Sequence, residues 1–443
     1  MNNKKSTEIL AVVEQEHIRF IDLQFTDIVG VVKNVTIPAH ELREALENGI
    51  WFDGSSIEGF VRVAESDMHL RPDPGTFAVI PWLSGADATA RLICDVFTPD
   101  GQPFAGDPRS VLRRAMSEAE EMGFRYNTGP ELEFFLLKPH ADGSLIPPAP
   151  HDVASYFDAP SDMAAGLRRQ MTNTLEALGL TVEALHHEGA HGQHEIDFRY
   201  SDALTTADSA VTLRVALKVI AQQNGLYCTF LPKPLRGING SGMHVHQSLF
   251  YLENKKNAFI DSGDPHGLSE IAKQFIAGQL AHARGMCAVL APLVNSYKRL
   301  VAGYEAPVYV SWARINRSAL IRVPRPATPE ATRLELRCPD PSCNPYLAFA
   351  VMLAAGLDGI RRKLKVPEAT EENIYLTENR PSTLEILPGS LNHALRKLEE
   401  DELVCQALGP HITERFLSAK RLEWDDFRLE VTDWELKKYL PNY

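Results

Sequence analysis

The chain has 443 residues, enough for two or three domains around a sizeable core. Its 58 acidic side chains against 45 basic ones give a formal charge of -13, and with no long basic run this argues against a nucleic-acid partner. Six cysteines (Cys94, Cys228, Cys287, Cys338, Cys343, Cys405) without a CxxC pair fit reduced thiols in a cytoplasmic protein, the N-terminus lacks an apolar leader, and the longest apolar run, 346–357, is too short to cross a bilayer.

From Ile18 to Ile37 two β-rich runs separated by Thr26-Asp27 predict a hairpin, and Pro38 to Asn48, stopped by Gly49, predicts a short helix. FDGSSIEGF (52–60) reads as a loop carrying Asp53 and Glu58 between aromatics. Strands at FAVIPW (77–82) and ARLICDVF (90–97) complete a compact unit, and the Pro- and Gly-dense stretch 98–108 is the linker. Helices and strands then alternate. A helix capped by Asp107-Pro108 ends at Gly123, the strand GPELEFFLL (129–137) follows, and helical patterns ending at Gly179 and Gly225 each precede a strand. A further helix over 267–283 leads to a loop at 298–307, and surface helices are expected after Pro367. The alternation predicts a barrel-like or sandwich α/β domain.

Chemistry concentrates on alternate positions of four strands. Residues i and i+2 share a strand face, so Glu131 and Glu133 point one way and Leu132 and Phe134 the other. Alone, that pattern equally fits an acidic face in water. It recurs, however, as Glu195, Asp197 and Arg199; as His244, His246 and Ser248; and as Arg333, Glu335 and Arg337. Four such faces suggest one shared polar interior. Many carboxylates with one or two imidazoles suit Mg2+ or Mn2+ better than a thiolate zinc site, and Arg299, Arg317, Arg322 and Arg337 suit phosphate or carboxylate. Metals with arginines are what phosphoryl transfer from ATP requires. Asn239-Gly240-Ser241-Gly242 reads either as a hairpin turn or as a substrate loop, His186 and His187 as surface or packed histidines, and Glu188 as a solvated loop carboxylate. Neither a Walker loop nor a strand-borne GxGxxG is present.

FDGSSIEGF (52–60), GPELEFF (129–135), HHE and GQHEIDF within 186–198, NGSGMHVHQSL (239–249), NSYKRLVAGYEAP (295–307), NRSALIRVP (316–324), LELR (334–337) and NPYLAFAVMLAAGLDGI (344–360) resemble a type I glutamine synthetase over nearly the whole chain. The resemblance implies an α+β or α/β chain with a β-grasp domain over 1–105 and a barrel-like catalytic domain over 106–443, assembled as two stacked hexameric rings with active sites between subunits. It implies ATP-dependent ligation of ammonium to L-glutamate through γ-glutamyl phosphate, with two or more Mg2+ or Mn2+ per site. By position it implies one ion on Glu131, His244 and Glu335 and another on Glu133, Glu188 and Glu195. ATP would meet Glu183, His246, Gln247, Ser248, Arg317 and Arg322, and glutamate would meet Asn239, Gly240, Arg299, Glu305 and Arg337. The resemblance casts Asp53, Glu305, Arg317 and Arg337 as catalytic, with Asp53 reaching the site from the adjacent subunit, and Arg62 as a position tied to glutamine feedback in the subgroup lacking adenylylation. Tyr375 lies near the loop adenylylated in the other subgroup, but its surroundings match poorly and no modification is expected there. Ala302 stands where the family usually has Pro, Leu185 and His191 also differ, and the Arg322 to Glu335 spacing looks atypical. Competing expectations are a γ-glutamyl polyamine ligase of the same superfamily and a non-catalytic structural member. An intact Asp53 and Ser56 speak against the first and the full set of six metal ligands against the second. Neither nucleic acid nor membrane is an expected partner, and the sequence does not decide whether a transcription regulator is one.

Overall fold

The computed structural model describes residues 2–55, 57, 67–372 and 384–443; Ser56, Glu58, Arg62 and Tyr375 lie outside the described residues. The first sheet contains β1 (Phe20–Thr26), β2 (Val32–Pro38), β3 (Ile50–Asp53), β4 (Asp67–Pro72), β5 (Ala78–Val79) and β6 (Thr89–Phe97), in the order β2-β1-β6-β4-β3 with β5 on β6. The expected hairpin forms between β1 and β2, while β1 and β6 run parallel at the centre. The helix Leu42–Asn48 stops at Gly49, whose φ of 72° is the left-handed conformation a side chain resists. The strand expected over 77–82 shrinks to two residues, because Pro81 has no amide to donate and begins a turn.

Asp107 joins the linker to the second unit. It caps the helix Pro108–Glu121 by accepting from Arg109 N at 3.1 Å, and its other oxygen accepts from Val96 N of β6 at 3.3 Å. Arg109, almost fully buried, donates to Asp73 and Asp95 of the first unit and to Asp208 of the second, and Tyr346 Oη donates to Asp208 at 2.7 Å. A buried guanidinium with every arm on a carboxylate fixes one domain against the other.

The second sheet contains β7 (Phe124–Leu137), β8 (Val182–His187), β9 (Gln193–Phe198), β10 (Ser201–Asp202), β11 (Tyr227–Thr229), β12 (Met243–Tyr251), β13 (Tyr309–Ala313), β14 (Ala319–Arg322) and β15 (Leu334–Leu336). Its order is β13-β14-β15-β12-β7-β9-β8, with β10 and β11 also on β7. Strands and helices alternate along the chain as expected, yet among the described strands β13 with β14 is the only parallel pair here. Leu132, Phe134 and Leu136 of β7 join the main core with residues of the helices Pro108–Glu121 and Ala203–Gln223. The same alternation leaves Glu131 and Glu133 on the opposite face. The long helix Pro345–Arg362 is buried along most of its length and crosses helix Glu270–Ala281 at Gly278 and Gly359. A Cβ on Gly359 would lie 2.0 Å from Gln274 O, so only glycine permits this approach.

The region after Pro367 is less superficial than expected, since Leu391, Leu395, Leu398, Leu408, Ile412 and Phe416 enter the core. No helix among the described residues is long and apolar enough to cross a membrane. His282, between the helices Glu270–Ala281 and Ala283–Leu290, bridges Asp401 (2.9 Å) and Asp358 (3.1 Å). Burial works to lower its pKa, but the hydrogen bonds to Asp401 and then Asp358 outweigh it and raise the pKa above 6.5. The protonated bridge therefore contributes stability below about pH 6.5, and this is lost as pH rises through the higher folded value. His282→Gln is expected to lower the Tm at pH 6 by on the order of 2 °C and to matter less at pH 8.5; equal losses at both would refute the charged bridge.

Candidate active site

Three strands bring the first set of polar side chains together. The register places His244 of β12 opposite Glu131 of β7, and His246 opposite Glu335 of β15. Glu131, His244 and Glu335 each offer a ligand atom within 4.8 Å of the others. Arg322 and Arg337 both donate to the fully buried Glu335 carboxylate. Arg333 Nε donates to His246 Nδ1 at 3.2 Å, which leaves the proton on Nε2 to be donated to Glu131 Oε1 at 2.7 Å. Burial would raise the Glu131 pKa, yet the hydrogen bonds from His244 and His246 hold it well below the usual carboxylate range.

A second set lies across β7 and β9, where Glu133 faces Glu195 and Glu131 faces Asp197. Gln193 Nε2 (2.7 Å) and Gly242 N (3.0 Å) both donate to Glu133 Oε2. Glu188, just past β8, meets Glu195, and His186 Nε2 sits between them, 2.7 Å from Glu188 Oε1 and 3.8 Å from Glu195 Oε1. Burial, followed by the charges of Asp197 and Glu133, pushes Glu195 up to about 12. Burial and Glu188 raise Glu133 to about 8, and burial and Glu131 raise Asp197 to about 7. Asp197 Oδ1 is buried with no hydrogen-bond partner. Mutually repelling carboxylates at this density, one with an orphaned oxygen, fit hard divalent cations, as does the oxygen-rich donor chemistry.

Two cavities open onto these sets. The larger, about 520 Å³, is lined by Glu131, Glu183, Asp197, His246, Ser248 and Arg333 among others, and the excursion Thr328 to Thr332 closes one side. The stretch between Arg322 and Glu335 that looked atypical in spacing therefore forms cavity wall, and its ends pair directly across β14 and β15. The smaller recess, about 40 Å³, is lined by Glu133, Glu188, Asn239, Arg299, Glu305 and Arg337 among others. Gly240 O accepts from Gln193 Nε2 at 3.1 Å, so the Asn239 to Gly242 loop is wall of this recess as well as a turn. A Cβ on Gly242 would lie 2.5 Å from Arg299 Nη2. Arg299 itself spends its guanidinium on the carbonyls of Arg337, Cys338 and Pro339. Glu305 holds φ at 57°, a rare conformation for a residue with a side chain.

Most of the expected residues converge, with some differences. The Gln247 side chain points into the core, where Tyr126 Oη donates to it at 2.8 Å, because its position alternates with His246 and Ser248. Only its main chain borders the cavity. Arg199 lies past the end of β9 and pairs with Glu183 at 3.3 Å in solvent. His186, read from sequence as surface or packed, meets two carboxylates instead, and Tyr156 and Phe157 flank its ring. Arg317 is exposed near Tyr156. Gln193, which anchors Glu133, carried no signal of its own beyond its place before His194 and Glu195. Asp53 is exposed on β3, with its carboxylate accepting from Ser55 N at 2.9 Å.

Comparison with known proteins agrees in all parts of the chain. Residues 17–99 match the family model "Glutamine synthetase, beta-Grasp domain" and residues 105–439 match "Glutamine synthetase, catalytic domain". The chain is 52% identical over 440 residues to the glutamine synthetase of Clostridium saccharobutylicum and 53% identical over 436 residues to that of Thermotoga maritima, covering 98% of both chains in each case. Among solved structures it resembles one described as a GmaS/ADP complex, with a TM-score of 0.89 and 33% identity across 98% of this chain and 99% of the other.

Proposed function

The chain belongs to the glutamine synthetase family and is a glutamate-ammonia ligase that makes L-glutamine from glutamate, ammonia and ATP, and on that premise we propose which residues do the work. Glu131, His244 and Glu335 hold one divalent cation, and Glu133, Glu188 and Glu195 hold a second; the ions, Mg2+ or Mn2+, neutralise phosphate charge when bound. The observation that carries this reading is the position of the two carboxylate sets between a cavity of about 520 Å³ and a small polar recess. ATP occupies the cavity against Glu183, His246, Ser248 and the main chain of Gln247, while Arg322, paired with Glu335, and the exposed Arg317 serve its phosphates from outside the cavity wall. Glutamate occupies the recess against Asn239, Gly240, Arg299, Glu305 and Arg337.

The γ-carboxylate of glutamate attacks the terminal phosphorus of ATP, the bond to ADP breaks, and Arg317, Arg322 and Arg337 offset the charge. Asp53, from a neighbouring subunit, takes a proton from ammonium. The ammonia then attacks the acyl carbon, phosphate leaves with the C–O bonding pair, and the departing phosphate takes the surplus proton from the new amide nitrogen. Glu305 lies on the 298–307 segment, which covers the recess and limits hydrolysis of the acyl phosphate. The domains are divided at 105/106, the subunits form two stacked hexameric rings, and the enzyme works in the cytoplasm. The polyamine-ligase and non-catalytic readings are not favoured, since the relatives near 50% identity are glutamine synthetases and all six ligands are present. Phosphate release with Mg2+, ATP and glutamate is expected to be stimulated by ammonium and not by putrescine; the reverse preference would overturn the substrate assignment. Arg62 makes the enzyme sensitive to its product. Arg62→Ala is expected to raise the glutamine concentration for half-inhibition by about tenfold, as loss of one charge-assisted contact would, and an unchanged inhibition curve would remove Arg62 from that role.

A further inference from the structure

Beside the second carboxylate set lies a buried polar cluster that the reaction does not use. Asp152, His187 and His194 are each at most 5% exposed. His187, directly before Glu188 in the chain, spans two partners with its ring. Its Nδ1 lies 2.7 Å from the Glu188 carbonyl oxygen, which can only accept, so Nδ1 donates; its Nε2 lies 2.9 Å from Asp152 Oδ1. The same Asp152 oxygen accepts from Gly192 N at 3.2 Å, and the other oxygen accepts from Met163 N at 3.3 Å. One carboxylate thus ties down both ends of the loop 188–192 that presents Glu188. The loop is closed on itself by Glu188 N donating to Gln193 O at 2.8 Å and Gln193 N donating to Ala190 O at 3.0 Å.

The three side chains offer ligand atoms within 4.8 Å of one another, which by itself would suggest a further metal site. Charge and valence speak against it. Arg168 places Nη1 2.9 Å from His194 Nδ1, so another cation would meet a guanidinium already in place, and both His187 nitrogens are committed. His194 instead packs edge-on against the His187 ring, centroids 4.6 Å apart, and keeps it upright between its two partners.

We propose that Asp152 and His187 are a positioning pair that holds the Glu188 main chain in place so that its carboxylate is set for the second cation. The inference rests on the assignment of Glu188 as a ligand of that ion. Without the pair, the 188–192 loop would have to be ordered when the ion binds, and the affinity of that site alone would fall.

The test is Mn2+ binding to the full-length protein without substrates, followed by the electron paramagnetic resonance of free Mn2+. Glu188→Ala and Glu335→Ala identify which binding step belongs to which ligand set. His187→Ala is expected to weaken the Glu188 step by about tenfold while leaving the Glu335 step within about twofold. His187→Asn, whose amide can still donate to the Glu188 carbonyl, recovers most of the loss, and Asp152→Asn weakens the same step. Equal weakening of both steps, or wild-type binding by His187→Ala, overturns the pair. Should His187→Ala fail to fold, Asp152→Asn decides, and unchanged binding there overturns the pair too. If Glu188→Ala removes no Mn2+ step, Glu188 is not a ligand; the metal assignment then fails first and the positioning role falls with it.

Discussion

Glu335→Ala is expected to lower metal-dependent glutamine formation by about a thousandfold or more, because it removes a proposed metal ligand and an electrostatic anchor together. The carboxylate is fully buried and receives Arg322 and Arg337, with His244 Nδ1 3.7 Å away. Burial alone would raise its pKa, but the Arg337 charge outweighs this and keeps it ionised. Alanine would leave two guanidiniums facing an empty space and each other, at a cost of about 3–5 kcal/mol of stability for a broken buried pair. Glu335→Gln separates the effects. It keeps the volume and some hydrogen bonding but not the charge, so it should fold better than the alanine variant while staying comparably inactive. The measurements are phosphate release with glutamate and ammonium, and the rise in Tm on adding Mn2+. The wild type should gain several degrees by mass action and both variants less. An alanine variant with more than about a tenth of wild-type turnover would rule out Glu335 as a ligand the reaction needs.

That carboxylate was legible because strand alternation is a local rule: Leu334 and Leu336 must enter the core, so Glu335 must face the other way, and the same rule holds for Glu131, Glu133, His244 and His246. It also excludes the Gln247 side chain, a distinction that motif matching passed over. Order across loops was not legible. His186 approaches Glu188 and Glu195 only because β8 pairs with β9 and the chain returns through a short turn, and nothing in the His186-His187-Glu188 triplet tells which imidazole faces the carboxylates and which is buried behind them. Sheet sense was hidden for a similar reason. Helix and strand alternate in a parallel-like rhythm, but connection handedness and pairing depend on contacts far apart in sequence, such as Met243 to Leu132. The atypical run from Arg322 to Glu335 could be measured in residues but not placed until its ends were seen paired and its middle lining the cavity.

Asp53→Ala should be as inactive as Glu335→Ala when each is made alone, yet co-assembling the two should restore activity. Asp53 sits at the end of β3 in the first sheet, exposed, and its carboxylate is occupied by Ser55 N. Among the described residues, neither cavity takes any wall from before Asn127. The proposed acceptor of the ammonium proton, Asp53, therefore lies outside the site as one chain builds it, although every expected metal ligand is present. If the acceptor comes from a neighbour, a site needs an intact catalytic body from one chain and an intact Asp53 from another. An assembly mixed at random from equal amounts of the two variants would satisfy that at about a quarter of its sites. Co-expression with two different affinity tags, followed by sequential purification, isolates the mixed assemblies, and their turnover per subunit is the measurement. Activity near a quarter of wild type establishes that Asp53 acts across a subunit boundary. Mixed assemblies no more active than either parent would place Asp53 within its own chain's site or outside the chemistry altogether, and the proton would then need another acceptor. Glu188 and Glu305, both on the wall of the recess, would be the carboxylates to test.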